Sequence, residues 1–176
     1  MRFGNIALPI TRRVSEKYTI KVTIMRTVNA LLVMGLMVIN IGAKAETATS
    51  DEVVVYRSPS CGCCGKWVEH LQNNGFKVKD IVTNDVQNIK DKYGITQELA
   101  SCHTAIVNGY VIEGHVPAAD ITELLKQKSK VTGISVPGMV NGSPGMEMGP
   151  KTDAYKVVSF DKKQNYKVFN SYPGKQ

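Results

Sequence analysis

Residues 53–71 read Val-Val-Val-Tyr-Arg-Ser-Pro-Ser-Cys-Gly-Cys-Cys-Gly-Lys-Trp-Val-Glu-His-Leu. Val53-Val54-Val55-Tyr56 is a short β-branched apolar run, the pattern of a buried strand. Arg57-Ser58-Pro59-Ser60 breaks it, and Ser60 stands where a helix N-cap is wanted. Cys64, Trp67, Val68 and Leu71 then fall at i, i+3, i+4 and i+7, one apolar face of a helix. Asn73-Asn74-Gly75 ends that helix.

Outward from this strand–cysteine–helix unit the pattern repeats. Residues 76–82 alternate apolar and polar side chains, a second strand. Asn84 is placed to cap a helix running to about Tyr93, with Gly94 as its stop, and residues 95–101 are irregular or briefly helical. Residues 104–107 and 110–113 flank Asn108-Gly109, the strongest two-residue hairpin signal. Pro117 opens a helix through about Lys126 that turns Ile121, Leu124 and Leu125 inward. The order β-α-β-α-β-β-α, with a thiol pair between the first strand and its helix, predicts an α/β, thioredoxin-like domain with a central mixed sheet flanked by helices. Residues 133–148 read as a long Gly/Pro/Met loop carrying Met139, Met146 and Met148; loops of this length inside a compact domain tend to be functional. Tyr155–Asp161 and Tyr166–Tyr172 read as a C-terminal β-hairpin turned through residues 162–165.

The start of the chain has a different character. From Met25 a charged segment leads into an apolar stretch from Ala30 to Ile41 and then Gly42-Ala43-Lys44-Ala45, the layout of a signal peptide cleaved after Ala45. The apolar run is too short to span a bilayer comfortably. The partition expected from sequence is therefore a gene-model extension over 1–24 (translation starting at Met25 rather than Met1), a signal peptide over 25–45, a disordered linker over 46–52 and the folded domain over 53–176. The first 45 residues hold seven of the 22 basic residues and one of the 15 acidic ones, so the remainder carries a formal charge of only +1. The whole-chain charge of +7 belongs to the leader and gives no support for nucleic-acid binding. After cleavage no stable membrane association is expected.

All four cysteines lie beyond the leader. That is too sparse for a disulfide-scaffold miniprotein, so clustered thiols in an exported chain point to redox work or a bound soft metal. Cys61 and Cys64 sit three apart at a helix start, where free amides and the dipole favour thiolate. Such a pair either exchanges with a disulfide or ligates a metal. Cys63 bears on the choice: a third adjacent thiol invites scrambling in an oxidoreductase but is an advantage for a soft metal, since bridging sulfur lets several Cu(I) ions share few cysteines. Cys102 precedes the third strand, where thioredoxins carry a cis-proline against the thiol-bearing turn, so Cys102 and His103 should face the other three. His103 is a ligand, a group supporting one, or a hydrogen-bonded structural histidine. His115 is a weaker ligand candidate, read as structural or peripheral, and His70 should face solvent. Met139, Met146 and Met148 offer thioethers for Cu(I) but also serve as gap-fillers. Zinc is the alternative metal, although structural zinc normally uses two paired cysteine knuckles; iron–sulfur spacings differ from these. Copper fits the thiol count best.

Ser60-Cys-Gly-Cys-Cys-Gly-Lys-Trp67, Ser101-Cys-His-Thr-Ala105, Gly114-His-Val-Pro-Ala-Ala-Asp-Ile121 and Gly133-Ile-Ser-Val-Pro-Gly-Met139 resemble the exported metal-binding family of CopG-type copper-resistance proteins, long labelled only as a domain of unknown function. The resemblance runs from about Val53 to Tyr172. It implies a periplasmic, thioredoxin-like protein that holds copper on Cys61, Cys63, Cys64 and Cys102 with His103 adjacent, as a multinuclear cuprous cluster. It also implies a role in copper tolerance, extending to interconversion of Cu(I) and Cu(II), with copper ions, periplasmic copper chaperones or a copper-exporting system as partners. Val140 follows Met139 where relatives often have proline, which bears on loop stiffness more than on ligation. Two further readings stay open: a thiol–disulfide oxidoreductase in which Cys61 attacks and Cys64 resolves, and a structural zinc domain.

Overall fold

The computed structural model describes residues 52–176. The leader, its cleavage site and the 46–51 run-in lie outside the described residues. Ten elements follow in chain order: β1 (Glu52–Arg57), α1 (Gly62–Asn73), β2 (Lys77–Val82), α2 (Val86–Lys92), β3 (His103–Val107), β4 (Tyr110–Glu113), α3 (Ala118–Gln127), β5 (Gly133–Ser135), β6 (Tyr155–Phe160) and β7 (Tyr166–Tyr172). The first seven occur in the order the sequence predicts, and the protein is α/β with three helices among the described residues.

The strands form one seven-stranded mixed sheet in the order β2-β1-β3-β4-β5-β6-β7. β1 runs parallel to β2 and antiparallel to β3, and β3 is antiparallel to β4. The β3–β4 turn has positive φ at both Asn108 and Gly109, as a type I′ hairpin requires. On one face of the sheet Trp67, Val68 and Leu71 of α1 and Ile121 and Leu124 of α3 pack with Val53, Val55, Ala105, Val107 and Ile112. A second cluster of Ile95, Leu99, Val111 and Phe160, with Tyr93 and Ile106 against it, follows α2. The apolar stripe at 64, 67, 68 and 71 is buried throughout. Among the described residues no helix is long and apolar enough to cross a membrane.

Several local expectations need correction. Residues 133–135, placed in the loop by sequence, form β5, paired parallel with β4 and antiparallel with β6. Three residues are too few for an alternating pattern, and a β-carbon at Gly133 would lie 1.9 Å from the Val111 carbonyl oxygen, so this close strand approach admits glycine alone. Cys61, not Ser60, occupies the N-cap of α1 and makes no side-chain capping bond; Ser60 turns back to Ser58 instead, its backbone N–H donating to Ser58 Oγ at 3.3 Å. The N-cap of α2 is Asp85 rather than Asn84. His70 does not face solvent freely: its Nε2 accepts the Ala118 backbone N–H at 3.1 Å, satisfying an otherwise orphaned donor at the start of α3.

Candidate metal centre

The cysteine turn is built by the end of β1 and the first turn of α1. The Cys61 N–H bonds the Ser58 carbonyl at 3.2 Å, closing the chain into the helix. With no side-chain cap and no acidic residue in the first turn, the helix start keeps its positive end directed at the sulfurs. Cys61 and Cys64 are joined as a disulfide, while Cys63 and Cys102 are free. Cys63 Sγ lies 3.4 Å from Cys61 Sγ. Cys64 is fully buried and Cys61 partly exposed, so the bridge is reached from its Cys61 side.

The opposite wall is the start of β3 and the turn after β4. Register places His103 opposite Arg57 at the end of β1, bringing Cys102 up to the cysteine turn. The Sγ atoms of Cys61, Cys63, Cys64 and Cys102 all lie within 4.8 Å of one another. The sequence argument for Cys102 is met by this geometry. A second grouping with the same spread joins Cys102, His103 and His115.

His115 is therefore not peripheral. Its Nε2 sits 3.0 Å from Cys102 Sγ, and its Nδ1 donates to the Pro144 carbonyl at 2.8 Å. The carbonyl can only accept, so Nδ1 carries the proton and the Nε2 lone pair is aimed at the sulfur. Sequence reasoning missed this because the partner carbonyl comes from residue 144 in the Gly/Pro loop. His103 is wholly buried: its ring packs on Trp67 at a centroid distance of 4.3 Å and meets His115 edge-on at 4.9 Å. Its Nδ1 is 3.5 Å from Cys102 Sγ. Its Nε2 is the buried side-chain nitrogen that finds no hydrogen-bond partner among the described residues. A wholly buried imidazole that meets the Cys102 sulfur through Nδ1 and leaves Nε2 unpartnered is a candidate nitrogen donor for a soft metal.

Burial keeps Cys102, His103 and His115 uncharged. Burial, then the neighbouring Cys63, pushes the Cys102 thiol up to about 12. Burial holds His103 well below the ordinary imidazole range, with His115 and Lys90 adding to the effect. Burial also lowers His115, against the opposing pull of the Pro144 hydrogen bond and Glu147. Both rings thus present lone pairs, and a metal entering here displaces thiol protons.

The loop after β5 roofs the cysteine turn. Gly145 has φ +83°, and a β-carbon there would stand 2.8 Å from the Trp67 nitrogen and 3.0 Å from the Cys63 carbonyl oxygen. Met146 is buried in this loop, whereas Met139 and Met148 are exposed. Behind the site lies a group that sequence reasoning did not single out. The Glu113 carboxylate, fully buried, contacts Lys90 Nζ and accepts from Thr104 Oγ1 at 2.6 Å and from the Ser101 backbone N–H at 2.7 Å. The one sequence signal was a lone charge ending the apolar strand Tyr110-Val111-Ile112.

A mixed α/β domain that gathers four cysteine sulfurs and two neutral imidazoles at one helix start defines a thiol-rich candidate metal-site protein. A family described as "Protein of unknown function, DUF411" matches residues 99–146. Two solved structures titled copper resistance protein CopG are similar over most of the domain. Form 1 is 45% identical, covers 71% of this chain and 99% of its own, with a TM-score of 0.68. Form 2 is 44% identical, covers 70% of this chain and 98% of its own, with a TM-score of 0.67. No curated protein matches. The chain belongs to the CopG family of copper resistance proteins.

Proposed function

We propose that this protein binds copper in the cuprous state and contributes to copper resistance, with Cys61, Cys63, Cys64 and Cys102 as ligands once the Cys61–Cys64 bridge is reduced. The observation that carries this reading is the convergence of all four sulfurs within 4.8 Å. At that spacing one sulfur can bridge two cuprous ions, so the reading extends to a multinuclear cluster. His115, with its proton fixed on Nδ1 by the Pro144 carbonyl and its Nε2 at Cys102, and His103, whose Nδ1 is the ring nitrogen nearest Cys102, are the nitrogen donors on that side. Met139, Met146 and Met148 on the roofing loop are auxiliary thioether candidates. The element order and the arrangement β2-β1-β3-β4 support the thioredoxin-like assignment.

The disulfide supports a redox role for the site. Two Cu(II) ions and the Cys61 and Cys64 thiols convert to two Cu(I) ions, one disulfide and two protons; the reverse consumes the bridge. This supports a copper oxidoreductase activity interconverting Cu(I) and Cu(II). We place the protein in the periplasm, released by cleavage after Ala45, with delivery or removal of copper by periplasmic chaperones or an exporting system. The same bridge supports a second reading, a thiol–disulfide oxidoreductase, in which the partly exposed Cys61 sulfur is attacked and Cys64 leaves. A zinc site remains the alternative for the same donors.

The test is copper content of the reduced protein with Cys63→Ser and Cys102→Ser in parallel. Each should sharply lower copper per chain while leaving the fold intact. Unchanged copper in a variant removes that cysteine from the site, and no retained copper in the wild type, with reversible Cys61–Cys64 oxidation, selects the oxidoreductase.

A further inference from the structure

We propose that Glu113 is a positioning residue that sets the Cys102 and His115 arms of the centre relative to one another. The inference rests on the metal-binding reading of that centre, but its geometry stands without metal. Glu113 reaches both arms. Its side chain holds the Ser101 N–H, one residue before Cys102, and its backbone stands two residues before His115. The carboxylate is itself immobilised. Lys90 Nζ bridges to it and also donates to Thr104 Oγ1 at 3.1 Å, and Thr104 in turn donates to Glu113 at 2.6 Å. Thr104 faces Glu113 directly across the β3–β4 ladder.

Three further contacts show that residues 100–101 are clamped and not merely adjacent. Gly138 N–H donates to the Ala100 carbonyl at 3.0 Å, and Ser101 Oγ donates to the Gly138 carbonyl. Gly114 packs so closely that a β-carbon there would lie 2.5 Å from Ser101 Cβ. The part-buried Ser101 N–H is directed at the fully buried Glu113 carboxylate, the acceptor it has. A fully buried carboxylate held by an ammonium, a hydroxyl and a backbone amide is a costly device, and such devices give orientation more than stability. Here the group oriented is the loop that carries the fourth thiol.

The test compares two variants that both lack the buried charges. Lys90→Met with Glu113→Gln keeps an oxygen able to accept the Ser101 N–H; Lys90→Met with Glu113→Leu removes it. The first readout needs no metal: alkylation of Cys102 relative to Cys63 in the disulfide form. The leucine variant should label Cys102 about tenfold faster than the glutamine variant, the upper end of the net weight of one neutral hydrogen bond. The second readout, on the reduced protein titrated with Co(II), is the thiolate-to-metal absorption band, which should weaken in the leucine variant with about tenfold lower affinity. Equal labelling and equal spectra in the two folded variants overturn the proposal. If the leucine variant does not fold, amide exchange at Ser101 in the wild-type chain decides: protection like that of the β3–β4 ladder upholds the role, and exchange at an open-loop rate overturns it. A wild-type protein without a thiolate band refutes the metal reading instead, leaving the labelling comparison to judge Glu113.

Discussion

Alkylation of Cys102 in the metal-free, disulfide form measures the electrostatics of the centre directly. A thiol at the ordinary 9.0 is about one-tenth ionised near pH 8, whereas one pushed up to about 12 is ionised in about one molecule in ten thousand. That lowers the reactive fraction by about a thousandfold. A more basic thiolate is also a better nucleophile, which at a Brønsted slope of about 0.45 returns a factor of about twenty. The net expectation is labelling about fortyfold slower than an ordinary cysteine, before steric shielding by His103, His115 and the loop is counted. The assay is iodoacetamide labelling read by peptide mass between about pH 7 and pH 10, with an unstructured cysteine peptide as reference. The rate at Cys102 should climb tenfold per pH unit without levelling. A plateau below about pH 10, or a rate matching the reference peptide, would refute the description of Cys102 as an un-ionised thiol.

Two further predictions concern the scaffold. Gly145→Ala forces a side chain into positive φ and against the α1 backbone, costing about 1–2 kcal/mol for conformation and about 1–3 kcal/mol for crowding. The melting temperature should fall by about 10 °C, and an unchanged value would mean the loop does not sit on α1 as described. The second concerns acid. His103 is held neutral in the folded state and titrates ordinarily when unfolded, so the unfolded chain binds more protons below its ordinary value of 6.5. The stability His103 lends is present above that value and drains as pH falls through it. Glu113, raised by burial, acts in the opposite sense above its ordinary 4.5, so the wild type must be read against His103→Phe. Between pH values of about 7 and 5 the wild type should lose more stability than the variant in urea titrations; parallel losses would show that His103 is not held neutral.

The strongest signals in the sequence were local ones. The stripe Cys64, Trp67, Val68, Leu71 and the Asn108-Gly109 turn each encode an element within a few residues, and both form as read. The C-terminal hairpin was equally legible, its turn held by Asp161 accepting from the Lys163 and Asn165 backbones at 2.7 and 3.0 Å. What periodicity could not carry was pairing at a distance. Glu113 finds Lys90 from 23 residues away, His115 finds Pro144 from 29 away, and His70 finds Ala118 from 48 away. Each was misjudged or overlooked because a lone polar residue has no pattern of its own. β5 was hidden for a related reason: its identity as a strand comes from β4 and β6 on either side, not from Gly-Ile-Ser itself. For the site, the cysteine spacing and the place of Cys102 before β3 were enough to bring the four sulfurs together on paper. They could not show that two of those sulfurs are bridged.

Reduced, anaerobically purified protein loaded with excess Cu(I), and with Zn(II) in parallel, tests the central claim most directly. Metal per chain after desalting and the count of free thiols are the quantities to read. More than one copper retained per chain, with all four thiols protected from alkylation and copper displacing zinc, is the predicted result. No retained copper, with four thiols freely labelled, would contradict it.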